Sequence, residues 1–95
     1  MENRVCKRVL ISGAVQGVGF RWRARQLALE LGISGWIRNR PDGKVEAVFQ
    51  GPDIMVREII DWARKGPKGA VVTELCQFDY ECDPVPFDFV IKRNA

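Results

Sequence analysis

Apolar residues in this chain recur with two different periods, and the change from one to the other predicts its elements. Arg8 to Ser12 (RVLIS) is a short, mainly apolar run that predicts a strand. From position 20 the spacing changes. Phe20, Ala24, Leu27, Ala28 and Leu31 fall at i, i+4, i+7, i+8 and i+11, one face of a helix, and Gly32 stands where such a helix stops. Residues 33–39 (ISGWIRN) read as a second strand. Pro41-Asp42-Gly43 supply turn chemistry, and residues 45–50 alternate Val45, Ala47 and Phe49 against Glu46, Val48 and Gln50, so these two strands form a hairpin.

Residues 51–66 (GPDIMVREIIDWARKG) carry the punctuation of a second helix. Pro52 fits the first helical position, Asp53 suits the positive end of the dipole, and Val56, Ile59, Ile60 and Ala63 supply the apolar face. Arg64 and Lys65 lie at the negative end, before Gly66. Residues 70–81 (AVVTELCQFDYE) predict a fourth strand, DPVP breaks it, and FDFVIK alternates into a short fifth. The order β-α-β-β-α-β plus a short C-terminal strand has few compact solutions. Right-handed crossovers give a ferredoxin-like α+β two-layer sandwich, an antiparallel sheet with both helices on one face. That fold alone does not set an activity.

Composition narrows the class. Apolar residues are 46% and charged residues 28% of the 95 positions, the balance of a folded globular protein. One domain over residues 1–95 is expected, burying roughly 60–65% of the surface its unfolded chain exposes. A net charge of +3 suits an anionic partner but is also an ordinary surface balance. No run has signal-peptide character or approaches the roughly 18 apolar residues of a membrane span, so a cytoplasmic location is expected. Cys6, Cys76 and Cys82 are odd in number and lack CxxC spacing. On one extended strand Cys76 and Cys82 would stand roughly 20 Å apart, so free thiols are expected rather than a disulfide or a zinc site. The chain contains no histidine. That removes Ser–His–Asp and Cys–His nucleophile activation, imidazole acid–base chemistry and the commonest metal ligand.

The candidate chemistry lies in residues 13–21, GAVQGVGFR. A glycine loop between a strand and a helix N-terminus gathers backbone N–H groups without helical partners and can curl them around an anion. The spacing Gly13, Gly17, Gly19 matches neither the dinucleotide fingerprint nor a Walker loop. Arg21 falls in the first helical turn, where a cation meets the positive end of the dipole. An anion held between the guanidinium and the amides explains that placement. Arg23 and Arg25 read as solvated surface residues, Trp22, Trp36 and Trp62 as core or edge packing, and Asp42 and Glu46 as charges on a hairpin face.

Three spaced segments, SGAVQGVGFRWRA, GISGWIRNRPDGKVEAVFQGP and WARKGPKGAVV, resemble the acylphosphatase family, and the similarity runs from about Val5 to Ile91. The resemblance implies hydrolysis of the carboxyl–phosphate anhydride of a small acyl phosphate to a carboxylate and inorganic phosphate, without metal or cofactor; a monomer is expected. It implies that the loop Val15, Gln16, Gly17, Val18, Gly19 and Phe20 cradles the phosphate, that Arg21 grips it, and that Asn39 positions the attacking water. Many members carry a basic residue in place of Ala14; either the loop's anion affinity is lower here or neighbouring amides supply it. On residue type alone, Asn39 reads as a turn residue before Arg40. Acylphosphatase-like domains also begin a larger carbamoyl-transferring protein, so a non-catalytic module binding an anion such as carbamoyl phosphate is the alternative. An RNA-binding platform of the same strand order needs stacking aromatics on its two central strands, where KRVLISG has none and KVEAVFQG only Phe49. Neither a nucleic-acid nor a membrane partner is expected.

The absence of histidine fits this chemistry. A carboxylate is a weak base and departs without a general acid. What remains is to hold the phosphoryl group, stabilise its charge and place a water in line.

Overall fold

Strand β1 spans Arg4–Ala14 in a computed structural model that describes residues 3–81 and 88–94. Cys82 and the DPVP break lie outside the described residues. Then follow α1 (Phe20–Leu31), β2 (Ser34–Asn39), β3 (Val45–Pro52), α2 (Asp53–Lys65), β4 (Val71–Asp79) and β5 (Phe89–Ile91). The element order is the one the hydrophobic periods predict. β1 is longer than the RVLIS run because it is a central strand. It pairs with β3 over Arg4–Ile11 and with β4 over Lys7–Ala14, so ladder bonds draw flanking charged residues into the strand. A register shift between Ser12 and Gly13 bends its end towards the loop that follows.

The strand order is β4-β1-β3-β2-β5. The first four strands pair antiparallel and include the expected β2–β3 hairpin, but β5 runs parallel to β2, with Gly35 opposite Phe89 and Ile37 opposite Ile91. The sheet is therefore mixed rather than wholly antiparallel. The reason is the connection: β4 lies at one edge and β5 at the other, so no hairpin dictates the direction of the last strand. Phe89 anchors it. Its ring is fully buried and stacks on Phe49 at 5.7 Å, which also takes the single aromatic of the two central strands into the core.

Both helices pack on one face of the sheet and against each other. Phe20, Ala24 and Ala28 of α1 and Val56, Ile59, Ile60 and Ala63 of α2 meet Val9, Ile11, Ile37, Val45, Ala47 and Phe49 in one core. Each fully buried Ile or Phe contributes about 1.5–3 kcal/mol relative to an exposed side chain. Gly32 ends α1 in the left-handed conformation, and the Ile33 N–H bonds back to Ala28 O at 2.8 Å. Pro52 caps α2 from the position before its first residue, one place earlier than the sequence suggests. No helix among the described residues is long and apolar enough to cross a membrane.

Candidate active site

Five residues, 15–19, carry the chain from β1 to α1. Both ends are pinned: Val15 and Phe20 are buried, and the Phe20 ring packs against Trp62 at 5.2 Å. Between them the backbone turns through Gly17 (φ 76°) and Gly19 (φ 75°), left-handed conformations that cost an ordinary L-residue about 1–2 kcal/mol. The helical ladder begins at Arg23, whose N–H bonds to Gly19 O at 3.1 Å. Among the described residues, the N–H groups of residues 15–22 donate to no backbone carbonyl, so they remain as donors for another acceptor.

Gln16 turns away from the cleft. Its Nε2 donates to Arg40 O (2.8 Å) and Lys44 O (3.0 Å), tying the loop to the β2–β3 turn. That tie brings the end of β2 alongside the loop. Val18 is partly buried against the core.

An open cleft of about 190 Å³ results, lined by Val15, Gly17, Gly19, Phe20, Arg21, Trp22, Asn39 and Ile91. Of the expected site residues, Val15, Gly17, Gly19, Phe20, Arg21 and Asn39 come together here, while Gln16 and Val18 shape the loop from outside. Among the described residues Arg21 is the one charged residue in the lining, and its Nη1 donates to Asn94 Oδ1 at 3.1 Å.

Asn39 is buried at the end of β2, and its Oδ1 accepts no hydrogen bond; among the described residues it is the one buried side-chain polar atom so placed. Leaving such an acceptor unpaired costs about 1–3 kcal/mol. The turn does not employ it either. Arg40 N–H bonds to Lys44 O (2.9 Å), Gly43 N–H to Arg40 O (3.1 Å) and Lys44 N–H to Asp42 Oδ1 (3.1 Å), without the Asn39 side chain. An unpaired acceptor on a residue that shares a cleft with Arg21 and the loop is suited to receive a proton donor held next to a bound anion.

Glu46 is not on a solvated charged face. Its side chain is only 3% exposed and is held by Arg8 (Nη2 and Nε to Oε2, both 2.7 Å) and Arg38 (Nε to Oε1, 2.7 Å), with Arg40 Nη1 at 3.8 Å. Burial pushes its carboxyl up, but hydrogen bonds from Arg38 and Arg8 and their charges together outweigh burial, so its pKa lies below the ordinary glutamate value. Arg38 and Arg40 flank Asn39 in sequence, so this carboxylate steadies the segment that presents the Asn39 amide. Asp42 keeps its expected place in the turn. The Lys44 N–H lowers its pKa most, with Arg40 assisting against a smaller opposing desolvation.

Sequence reasoning missed three residues near the cleft. Trp22 is 56% exposed and lines it, rather than packing in the core or at an edge. Its position, about 200° around the helix from Phe20, already directs it outward. Ile91 and Asn94 come from the C-terminal segment, whose return to the site has no local signal. Arg25 is also not simply solvated, because its Nε donates to Phe89 O at 3.0 Å and ties α1 to β5.

A family model described as Acylphosphatase matches residues 7–91. An acylphosphatase of Gloeobacter violaceus is 51% identical over 75 residues, covering 79% of this chain and 81% of that protein. One from Syntrophus aciditrophicus is 47% identical over 89 residues, covering 92% and 93%. The solved acylphosphatase of Coxiella burnetii superposes with a TM-score of 0.89 at 33% identity, over 95% of this chain and 94% of that one. A match this long, extending across the loop, the Asn39 strand and both helices, shows that the chain belongs to the acylphosphatase family.

Proposed function

We propose that the cleft hydrolyses small acyl phosphates to a carboxylate and inorganic phosphate. The phosphoryl group sits among the free amides of the 15–22 segment, and Arg21 offers a planar fork of donors to its oxygens. Asn39 Oδ1 accepts a hydrogen bond from a water and directs its oxygen at phosphorus. The new P–O bond forms as the bond from phosphorus to the acyl oxygen breaks. The carboxylate leaves with the electron pair, and a phosphate oxygen takes the water's proton. Asn39 acts through geometry alone, since an amide is no base at ordinary pH. The observation that carries this reading is that Asn39, whose buried Oδ1 has no hydrogen-bond partner, lines one cleft with Arg21 and the loop.

We place the protein in the cytoplasm as a monomer, with residues 1–95 as one domain. Phosphate release from benzoyl phosphate in the presence of EDTA tests the reading. Wild-type protein should turn over without added metal, and Arg21→Gln should lower turnover by about 10²–10³, as for loss of a preorganised donor. Full activity in Arg21→Gln would overturn the assignment. Binding of inorganic phosphate with no turnover of any acyl phosphate would favour a non-catalytic anion module.

A further inference from the structure

Once phosphate and water are assigned, part of the cleft lining has no role. Gly17, Gly19 and Arg21 serve the phosphoryl group and Asn39 the water, while Val15 and Phe20 are buried at 1% and 2% exposure and offer little surface. Trp22 and Ile91 remain. Both are apolar, both line the cleft, and both are exposed, at 56% and 40%. A half-exposed indole is an uncommon use of the largest apolar side chain, and paired with a second exposed apolar residue at a cleft it marks a contact surface.

We propose that Trp22 and Ile91 form the wall that receives the acyl group, with the Trp22 indole stacking on a flat one. The inference rests on the acylphosphatase reading above. In-line displacement puts the leaving carboxylate on the side of phosphorus opposite the water, so the acyl group needs its own wall, distinct from Asn39. Two ties hold that wall in place. Arg25 Nε bonds to Phe89 O, and the Lys92 N–H bonds to Ile37 O at 2.9 Å, fixing β5 and therefore Ile91 against α1 and β2. The Arg23 guanidinium lies 5.9 Å from the Trp22 ring centroid, within cation–π range, and restrains the indole. A flat acyl group gains stacking contact with an indole that a methyl group cannot make.

The test is the ratio of kcat/KM for benzoyl phosphate to that for acetyl phosphate, measured in wild type, Trp22→Ala, Trp22→Phe and Ile91→Ala. The ratio should fall about 5- to 10-fold in Trp22→Ala, the scale of a lost aromatic contact, and by less in Ile91→Ala. Trp22→Phe should restore most of it. Inhibition by inorganic phosphate, which lacks an acyl group, should follow the acetyl phosphate values rather than the benzoyl phosphate values. An unchanged ratio in both alanine variants, or an equal fall for both substrates, would overturn the inference while leaving the hydrolase reading intact. A wild-type protein that turns over neither substrate would overturn the hydrolase reading, and this inference with it.

Discussion

Glu46→Gln isolates the charge of the buried carboxylate while keeping its shape. The wild-type side chain takes close donors from Arg8 and Arg38. Removing one partner of a fully buried ion pair costs about 3–5 kcal/mol. Here the two arginine side chains stay 28% and 33% exposed, so water stabilises them in part and a glutamine oxygen still accepts one bond. That reduces the expected loss to about 2 kcal/mol. For a domain of this size such a loss lowers the melting temperature by about 8–16 °C. The pH dependence gives a second reading of the same cause. The folded pKa of Glu46 lies below its ordinary value of 4.5, so the carboxylate's contribution is complete above that value and is lost as pH falls through the folded pKa. Thermal unfolding of both proteins between pH 7 and pH 3 should show a wide gap at neutral pH that closes on the acid side. A gap of under about 2 °C at pH 7, or one that widens as pH falls, would refute the claim that Glu46 is a buried, charged anchor.

Two further changes test how the cleft is held together. Gln16→Ala removes both bonds from the loop to the Arg40 and Lys44 carbonyls; stability should fall by about 1–2 kcal/mol and kcat should fall with it, measured by urea unfolding and phosphate release on the same samples. Asn94→Ala frees Arg21 Nη1 from its acceptor; kcat/KM should fall about 3- to 10-fold, the value of one ordinary hydrogen bond at an exposed site, mostly through KM, and steady-state kinetics separates the two.

Much of this was legible from residue type and spacing, and the omissions have physical reasons. The two helices followed from apolar positions at helical period, and the β2–β3 hairpin from alternation around Pro41-Asp42-Gly43. The loop and Arg21 stood out because an arginine in a first helical turn opposes the dipole. β5 gave no hint of its direction, since three residues set no register and the long connection from β4 leaves the strand free to join either way. Glu46 was correctly placed off the helix-facing side of β3, yet that side is not open to water, because Arg8 and Arg38 fold over it from β1 and β2. Residue order cannot report such lateral cover. Asn39 was ambiguous for a similar reason: Asp42 and two backbone bonds close the turn, and only their geometry releases the Asn39 amide for another task. Trp22 was misread because the general preference of tryptophan for the interior outweighed its phase on α1.

Phosphate binding and water placement are divided between Arg21 with the loop and Asn39 in the mechanism proposed above. Asn39→Ala tests this most directly, with benzoyl phosphate turnover and inhibition by inorganic phosphate measured on the same protein. In this variant kcat should fall by about 10²–10³ while the inhibition constant for phosphate shifts only a few-fold. Turnover at the wild-type rate, or a loss of phosphate affinity as large as the loss of kcat, would contradict it.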